Sequence, residues 1–214
     1  VYTYTYTYTY KYTYAYTYAY MYTYTYIYTY TYTAFTHIML AWKFEGFSSH
    51  FLLGKKAMKF DFHSTAEEVT EGIDLSGQVW LVTGTNSGLG HETIRVLALR
   101  GAQIIAAART EEKAQRTMNE LGIDGVPLAC ELSDMSSVRE AVHTVLSLHT
   151  PIHGIIANAG IMALPSLQQK EGIELQFLTN HIGHFALVTG LCDILTNDGR
   201  VVVLSSGAHF YAAE

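Results

Sequence analysis

The chain has 214 residues, of which 49% are hydrophobic and 15% are charged, and its net charge at pH 7 is −6. Residues 74–214 carry the whole imbalance, with 8 Lys and Arg against 14 Asp and Glu, whereas residues 1–73 hold 5 of each sign. An acidic region without a cluster of basic side chains argues against binding to nucleic acid or to an anionic membrane surface.

The first 33 residues form a low-complexity repeat. Tyrosine occupies every even position from Tyr2 to Tyr32, and threonine fills most of the odd ones. Strict alternation would place the tyrosines on one face of an extended chain, as in a fibrous or adhesive strand. We favour the alternative of a translated nucleotide repeat, because every residue that interrupts the threonines is one base change from a threonine codon. We expect residues 1–33 to be unfolded, residues 34–73 to form an N-terminal arm, and the working start to be Met58.

The cellular compartment is predicted from targeting signals and cysteines. Residues 34–53 are hydrophobic but contain Lys43 and Glu45, so they do not offer the roughly 18 to 20 uninterrupted apolar residues of a membrane span. Nothing in the sequence resembles a secretory signal. Cys130 and Cys192 lie in apolar runs without a CxxC partner, which argues against a disulfide framework or a zinc site. We expect both cysteines to be buried, and the protein to be cytoplasmic.

A glycine-rich turn follows the first predicted strand. Val79–Thr83 reads as a buried strand, TGTNSGLG occupies residues 83–90, and a helical pattern covers His91–Leu99. Glycines at this spacing suit a turn that needs backbone freedom, a pyrophosphate that approaches the main chain, and a helix packed tightly on a strand. The amino end of the helix would offer free N–H groups and a partial positive charge to the phosphates. The pattern predicts a dinucleotide-binding turn.

The end of the second strand indicates which dinucleotide is bound. The strand Ala102–Ala108 is followed by Arg109, 25 residues after Gly84. An acidic residue there would bind both ribose hydroxyls, whereas an arginine can pair with a 2′-phosphate. We therefore expect NADP (NADPH), with NAD less favoured. The alternative is that Arg109 is simply the solvated first residue after a strand.

The remaining elements repeat the alternation of strand and helix. They are helix Glu111–Leu121, strand Val126–Leu132, helix Ser136–Leu148, strand Ile152–Ala157, a helical region Gly172–Leu195 and strand Arg200–Leu204. Strands that alternate with helices of this length predict an α/β fold, a Rossmann-like doubly wound parallel sheet of about five strands. We assign this domain to residues 74–214.

Four groups of residues along this domain resemble one family. They are TGTNSGLG, then Asn158-Ala159-Gly160 at the end of the fourth strand, then Asn180 in TNHIGHF, then Ser205-Ser206 closing VVVLSS. In order and spacing they resemble the short-chain dehydrogenase/reductase family throughout residues 74–214. The segment NHIGHF, together with Arg109, is most similar to the retinol dehydrogenase-like and protochlorophyllide reductase-like branch of this family.

The resemblance implies a cofactor site. Its pyrophosphate residues would be Gly84, Asn86, Ser87, Gly88, Leu89 and Gly90, and Arg109 would hold the 2′-phosphate. Glu131 and Leu132 would lie beside the adenine, at the end of the third strand, where the family usually has Asp and an apolar residue. Glu in place of Asp is a departure from the family pattern. Asn158, with Ala159 and Gly160, would brace the sheet and line the cofactor ribose.

The resemblance also implies the reaction, which is the interconversion of a small-molecule alcohol and the corresponding carbonyl by hydride transfer to or from NADP. Asn180 would be the asparagine of the catalytic tetrad, and Ser206 would position the substrate oxygen. The family's Tyr-x-x-x-Lys pair follows the serine by about a dozen residues or more, whereas Tyr211 follows Ser206 by five. We expect the pair to lie downstream, the sequence to be truncated and this chain alone to be inactive. The alternative is a non-catalytic dinucleotide-binding fragment or a gene-model fragment.

Two histidines are spaced as metal ligands could be. His181 and His184 are three residues apart in the predicted helical region. A metal would need a third ligand at a suitable spacing, and the sequence offers none. We expect the histidines to serve packing and the protein to bind no metal.

Overall fold

The computed structural model describes residues 60, 61 and 63–205, which fall into two units. One unit is Ile73–Val203. The other unit includes the described residues before Ile73 and after Val203. In the latter, helix α1 (Ala66–Val69) begins with a capping box in which the Thr65 hydroxyl and the Glu68 carboxylate each accept from the other's backbone N–H. The Tyr/Thr repeat, Met58, Ser206 and Tyr211 lie outside the described residues.

A five-stranded parallel sheet organises the larger unit and confirms the predicted doubly wound α/β fold. Its strands are β1 (Val79–Thr83), β2 (Gln103–Ala108), β3 (Gly125–Ala129), β4 (Ile152–Ala157) and β7 (Leu195–Val203). Their order across the sheet is β3-β2-β1-β4-β7. Between β4 and β7, the strands β5 (Gln169–Lys170) and β6 (Ile173–Glu174) form a separate antiparallel hairpin.

Helices follow the strands in the expected alternation. They are α2 (Gly88–Leu99), α3 (Glu111–Leu121), α4 (Met135–Ser147), α5 (Leu175–Phe177), a π-helical segment (Leu178–Ile182), α6 (Gly183–Leu191) and a 3-10 turn (Cys192–Ile194). Local chemistry sets several of the boundaries. The Thr110 hydroxyl accepts from the Lys113 amide at the start of α3, and Gly122 ends that helix with a φ of 65°. The Asp134 carboxylate caps α4.

Two apolar clusters cover the two faces of the sheet. Alternate residues of β1 point to opposite faces, so Leu81 packs with α4 and α6 whereas Val82 packs with α2 and α3. Leu81 and Val82 are both 0% exposed. Because both faces are covered, β1 and β2 are almost continuous apolar runs, VWLVT and QIIAAA.

The third strand is shorter than predicted. It ends at Ala129 and not at Leu132, although the Cys130 amide still donates to the Ala108 carbonyl at 2.7 Å. The chain then turns because the Glu131 carboxylate accepts from the Ser133 amide and hydroxyl. The prediction that Glu131 and Leu132 close this strand was therefore wrong, and both lie in the turn before α4.

The region predicted as a helix from Gly172 to Leu195 is also different. It begins with the β5–β6 hairpin, whose turn residues Glu171 and Gly172 both have positive φ angles. The helix starts at Leu175, capped by the Glu174 carboxylate. At the other end, Leu195 already belongs to β7, where it pairs with Ile152. The last strand therefore runs from Leu195 to Val203 and not from Arg200 to Leu204.

The direction of chain progression reverses beside β1. β2 and β3 extend the sheet on one side of β1, and β4 and β7 extend it on the other. In open α/β sheets such a reversal leaves a crevice at the carboxyl ends of the two central strands, where ligands bind. The carboxyl ends of β1 and β4 are Thr83 and Ala157, so the predicted glycine turn and the Asn158-Ala159-Gly160 segment both begin at this crevice.

Candidate functional site

The glycine turn at the end of β1 is packed too tightly to accept side chains. Gly84 has a φ of 71°, and a Cβ built on it would lie 2.8 Å from the Cα of Ala159. A Cβ on Gly90 would collide with the Gly84 carbonyl oxygen and with the Asn158 amide nitrogen. The first turn of α2 is thereby held directly against the ends of β1 and β4, as a dinucleotide turn requires.

The amino end of α2 is open. Asn86, Ser87, Gly88 and Leu89 are all exposed, and Leu89 is 50% exposed. Ser87 occupies the N-cap position, but its hydroxyl makes no capping hydrogen bond within the described residues. The first N–H groups of a helix have no intrahelical partners and carry partial positive charge. This end of α2 therefore fits a pyrophosphate.

Asn158 ties the ends of β1 and β4 together. Its side-chain amide donates to the Thr83 carbonyl at 2.8 Å. The backbone amides of Asn158 and Ala159 both donate to the Thr83 hydroxyl, at 2.9 and 3.0 Å. These contacts hold the carboxyl end of β1 against the segment that follows β4, and they place Ala159 beside Thr83.

Asn180 lies in the π-helical segment and holds the loop that follows β4. Its side-chain oxygen accepts from the Ile161 amide at 2.8 Å, and its side-chain nitrogen donates to the Ile161 carbonyl at 2.8 Å. A Cβ on Gly160 would lie 3.4 Å from the Asn180 side-chain oxygen. The structure therefore brings Asn180 to the same loop as Asn158, Ala159 and Gly160.

Arg109 is exposed and follows β2 at the same edge of the sheet. The carbonyl of Ala107, two residues earlier, accepts from the Gly84 amide at 2.8 Å. The backbone at Arg109 is therefore close to the glycine turn, and its long side chain can extend over the crevice.

The two residues predicted to lie beside the adenine have different surroundings. The Glu131 carboxylate is bonded to the amide and hydroxyl of Ser133, at 3.1 and 2.9 Å. Leu132 is only 4% exposed and its side chain packs in the core, so that side chain is not available to a ligand. The backbone of the turn is engaged as well: the Glu131 amide donates to the Ser137 hydroxyl at 2.9 Å, and the Leu132 carbonyl oxygen lies against Gly183.

Sequence reasoning gave no role at this site to two polar residues. Thr83 was only the last residue of the first strand, and His184 was assigned to packing. Thr83 is 1% exposed and His184 is 4% exposed. The His184 Nε2 lies 2.8 Å from the Thr83 hydroxyl, and its Nδ1 lies 2.9 Å from the Asn180 carbonyl oxygen. Burial is the largest cause and lowers the pKa of His184; the hydrogen bond to the Asn180 carbonyl opposes it, and the neighbouring His181 adds a smaller lowering effect. The spacing of four between Asn180 and His184 was the available signal, because it places both on one side of a helix.

Among the described residues, no three His, Cys, Asp or Glu side chains are grouped so that they could hold a metal ion. None of the helices within residues 60, 61 and 63–205 is both long and apolar enough to span a bilayer.

A doubly wound sheet with a glycine turn at its switch point defines a dinucleotide-binding domain. The family model described as short chain dehydrogenase matches residues 78–214, and the chain belongs to this family. Its members are oxidoreductases that use a nicotinamide dinucleotide, NAD or NADP, and act on small molecules.

Similar proteins come from plants, animals and bacteria. The chain is 42% identical over 161 residues to the short-chain dehydrogenase TIC 32 B, chloroplastic, of Brassica napus, which covers 69% of this chain and 50% of that protein. It is 37% identical over 158 residues to the human WW domain-containing oxidoreductase, covering 71% of this chain and 38% of that protein. A crystal structure of an uncharacterized Mycobacterium paratuberculosis protein is 40% identical with a TM-score of 0.57, covering 64% and 49% of the two chains. The chain spans about half the length, or less, of the curated relatives it matches.

Proposed function

We propose that this chain is the dinucleotide-binding part of an NADP-dependent oxidoreductase that interconverts an alcohol and a carbonyl. The observation that carries the proposal is the contact of Gly84 and Gly90, which leaves no room for a Cβ and sets the open amino end of α2 at the switch point of the sheet. Family membership supports the class of reaction. The bound nicotinamide would supply or accept the hydride.

The phosphates would be held by backbone at the glycine turn and by one side chain. Gly84, Asn86, Ser87, Gly88, Leu89 and Gly90 would surround the pyrophosphate, whose negative charge suits the amino end of α2. Arg109 would pair with the 2′-phosphate, because a guanidinium binds phosphate oxygens in a bidentate manner. The exposure of Arg109 supports this role, since no described ion pair engages its guanidinium.

The adenosine and the nicotinamide ribose would lie on either side of the glycine turn. We assign the adenine contact to the turn at Glu131 and Leu132. Asn158, Ala159 and Gly160 would line the nicotinamide ribose, and their support is the rigid attachment of this segment to Thr83.

The catalytic assignments extend beyond the described residues. We assign Ser206 to hydrogen-bond the substrate oxygen as charge develops there. Asn180 would hold a water that links the active-site lysine to solvent, and its fixed position beside Ile161 supports such a role. We place the Tyr-x-x-x-Lys pair of the whole enzyme outside residues 1–214, so that this chain alone would be inactive.

The finer placement of the chain is also a proposal. NHIGHF and Arg109 support the retinol dehydrogenase-like and protochlorophyllide reductase-like branch. We propose that residues 1–33 are an unfolded repeat, 34–73 an arm and 74–214 the domain.

The cellular compartment is proposed from the cysteines. The absence of paired cysteines within residues 60, 61 and 63–205 supports a reducing compartment, for which we propose the cytoplasm. The Brassica napus relative is named as chloroplastic.

Dinucleotide binding is tested by titrating the 214-residue chain with NADP⁺ and NAD⁺ and following heat release. We expect NADP⁺ to bind more tightly, and Gly90→Ala to abolish binding because the added methyl meets the Gly84 carbonyl. The matched control is Gly122→Ala, which strains a positive φ at the end of α3, away from the crevice. Loss of binding in Gly122→Ala as well would indicate general unfolding, and an unaffected Gly90→Ala would refute the site.

Catalysis is tested separately with the whole protein. We expect the whole protein to reduce a carbonyl with NADPH. We expect the 214-residue chain alone to show no such activity. Binding of NADPH by both without reduction by either would favour the alternative of a non-catalytic dinucleotide-binding product.

A further inference from the structure

His184 is a buried histidine that joins two parts of the crevice. It lies on α6 at 4% exposure, with one ring nitrogen 2.8 Å from the Thr83 hydroxyl and the other 2.9 Å from the Asn180 carbonyl oxygen. Thr83 closes β1, and Asn180 holds the loop after β4. The hydride-transfer scheme proposed above gives His184 no role.

The available protons permit one arrangement of these hydrogen bonds. A carbonyl oxygen only accepts, so Nδ1 of His184 must carry a proton and donate it to Asn180. Thr83 already accepts two backbone N–H groups, from Asn158 and Ala159, which occupy both lone pairs of its hydroxyl oxygen. Its own proton can go to Nε2 at 2.8 Å or to the Ile156 carbonyl at 3.5 Å, and the shorter contact is the stronger one.

We propose that His184 is a positioning residue of the dinucleotide site, neutral and protonated on Nδ1. In this form it orients the Thr83 hydroxyl so that the oxygen holds the Asn158 and Ala159 amides, and it ties the Asn180 backbone to the same point. The internal arrangement stands on the hydrogen bonds alone. Its consequence, that dinucleotide affinity depends on His184, rests on the proposed function.

A second proton on His184 would break this arrangement. Nε2–H would face a hydroxyl oxygen whose lone pairs are filled, so the hydroxyl would have to release Asn158 or Ala159. No hydrogen bond or ion pair among the described residues joins the His184 ring to a carboxylate. The turn that packs against Gly183 carries Glu131 and Asp134, whose carboxylates accept from serines of the same turn and of α4. β1 has no titratable side chain, β4 has only His153 near its start, and the charged or titratable residues of α4, namely Arg139, Glu140 and His143, are exposed.

The neighbouring His181 is the remaining titratable group near the ring, and its charge opposes protonation of His184. Burial acts in the same direction and is the larger cause of the lowered pKa of His184. The ring is therefore neutral at physiological pH and becomes charged only in more acidic solution, where affinity for the dinucleotide should fall.

The tautomer is tested by nitrogen NMR of the ¹⁵N-labelled 214-residue chain, because protonated and bare ring nitrogens differ widely in chemical shift. At pH 7.5 we expect a protonated Nδ1 and a bare Nε2, assigned by comparison with His184→Gln. A proton on Nε2, on either form of the ring, would overturn the proposal. This readout requires no dinucleotide, so it is independent of the proposed function.

The positioning role is tested by NADP⁺ affinity in four variants. His184→Gln, which removes the ring that joins Thr83 to Asn180, should weaken binding by about tenfold. Thr83→Val, which also leaves the Asn158 and Ala159 amides without their acceptor, should weaken it at least as much. Thr83→Ser, which keeps the hydroxyl, should recover most of the loss seen in Thr83→Val, and the control His143→Gln on α4 should bind as the native chain does. Native affinity should also fall between pH 7.5 and 5.5. His184→Gln should show a smaller fall, due to protonation of the 2′-phosphate, whose second pKa is about 6.

The outcomes separate the two proposals. If the native chain binds neither dinucleotide, the proposed function fails while the NMR result still decides the tautomer. If the native chain binds NADP⁺ and His184→Gln binds it equally well with the same pH dependence, the positioning role is refuted.

Discussion

Some residues at the crevice are held in place by hydrogen bonds to neighbouring strands or loops, whereas Arg109 is exposed. Asn158, Asn180 and Thr83 each use donors and acceptors on neighbouring strands or loops, so their positions are set before any ligand arrives. Arg109 is exposed at the rim. Groups held in fixed positions are suited to bind the parts that NADP and NAD share. An exposed cation is suited to bind the 2′-phosphate, which is the group that differs between them.

Arg109 is therefore the residue at which cofactor preference should change. Arg109→Asp removes a charge-assisted hydrogen bond to the 2′-phosphate and offers a carboxylate to the free ribose hydroxyls of NAD. We expect NADP⁺ affinity to fall by about 10- to 100-fold while NAD⁺ affinity holds or rises. Titration of both cofactors measures the ratio. Arg116→Asp on α3, where Arg116 pairs with Glu120, is the matched control, and an unchanged ratio in Arg109→Asp would exclude Arg109 from the site.

The two cysteines should differ in reactivity. Burial, with a contribution from Glu131, raises the pKa of the Cys130 thiol to about 12, whereas Cys192 is exposed, contrary to the sequence-based expectation. Partial burial and the Asp193 carboxylate raise the pKa of Cys192 as well, so its reaction should quicken as pH rises. With a disulfide reagent at pH 8, one thiol should react in the folded chain and two in denaturant. Cys192→Ser should remove the fast reaction; a fast reaction that survives would place it at Cys130.

The sequence could predict the residues whose role depends on backbone. Gly84 and Gly90 were identifiable because their spacing answers a steric requirement of the turn. The direction of the Glu131 side chain could not be predicted, because it depends on a turn closed by Ser133. The exposure of Cys192 could not be predicted either, because the helix tightens into a 3-10 turn after Leu191. His184 was assigned to packing alone, because its partner Thr83 is 101 residues away in the chain.

At the scale of elements, boundaries were predictable where a local signal set them. α3 was predicted to the residue, because Thr110 caps its start and Gly122 ends it. β3 was predicted too long, since the apolar pattern continues through Cys130 and Leu132 after the ladder has ended. The π-helical segment has no distinguishing pattern, because its residues read as an ordinary helix.

The junction of the π-helical segment with α6 gives a prediction about packing. Gly183 is buried, and a Cβ on it would collide with the Leu132 carbonyl oxygen. Because a backbone carbonyl cannot rotate away, Gly183→Ala should lower the free energy of unfolding by about 1–3 kcal/mol. In Gly190→Ala the new methyl lies 2.8 Å from a Val142 methyl, which can move, and the exposed helical position gains from alanine. Urea unfolding should rank Gly183→Ala well below Gly190→Ala; equal stabilities would contradict the close contact.

At the scale of the whole molecule, the topology gathers residues that are far apart in sequence. The ends of β1 and β4 lie 75 residues apart along the chain at Thr83 and Asn158, yet they share a hydrogen bond. The alternation of elements predicted this parallel sheet, and the parallel sheet dictates that its carboxyl ends meet at one edge. What the alternation could not predict is the hydrogen-bonded link through α6, since that depends on how the helix docks.

The dependence of folding stability on pH follows from the same link. The pKa of His184 is lowered from 6.5 in the folded chain, so the unfolded state binds more protons between 6.5 and the folded value. The stabilising contribution is therefore fully present above pH 6.5 and is lost as pH falls toward the folded pKa. Burial lowers the pKa of His181 too, which adds to the same trend. The pKa values of carboxyl groups such as Asp134 and Glu174 are lowered from 3.8 and 4.5. These groups therefore change the stability only in more acidic solution than the histidines do.

Urea unfolding of the 214-residue chain at pH 7.5 and 5.5 should therefore show a lower midpoint at pH 5.5. His184→Gln should be less stable than the native chain at pH 7.5, because the Asn180 carbonyl and the Thr83 hydroxyl lose a shared partner, but its midpoint should change less between the two pH values. His143→Gln, which removes an exposed histidine, should follow the native chain at both. A native midpoint that rises on acidification would mean that His184 is stabilised by its charge, and the neutral arrangement at the crevice would then be wrong.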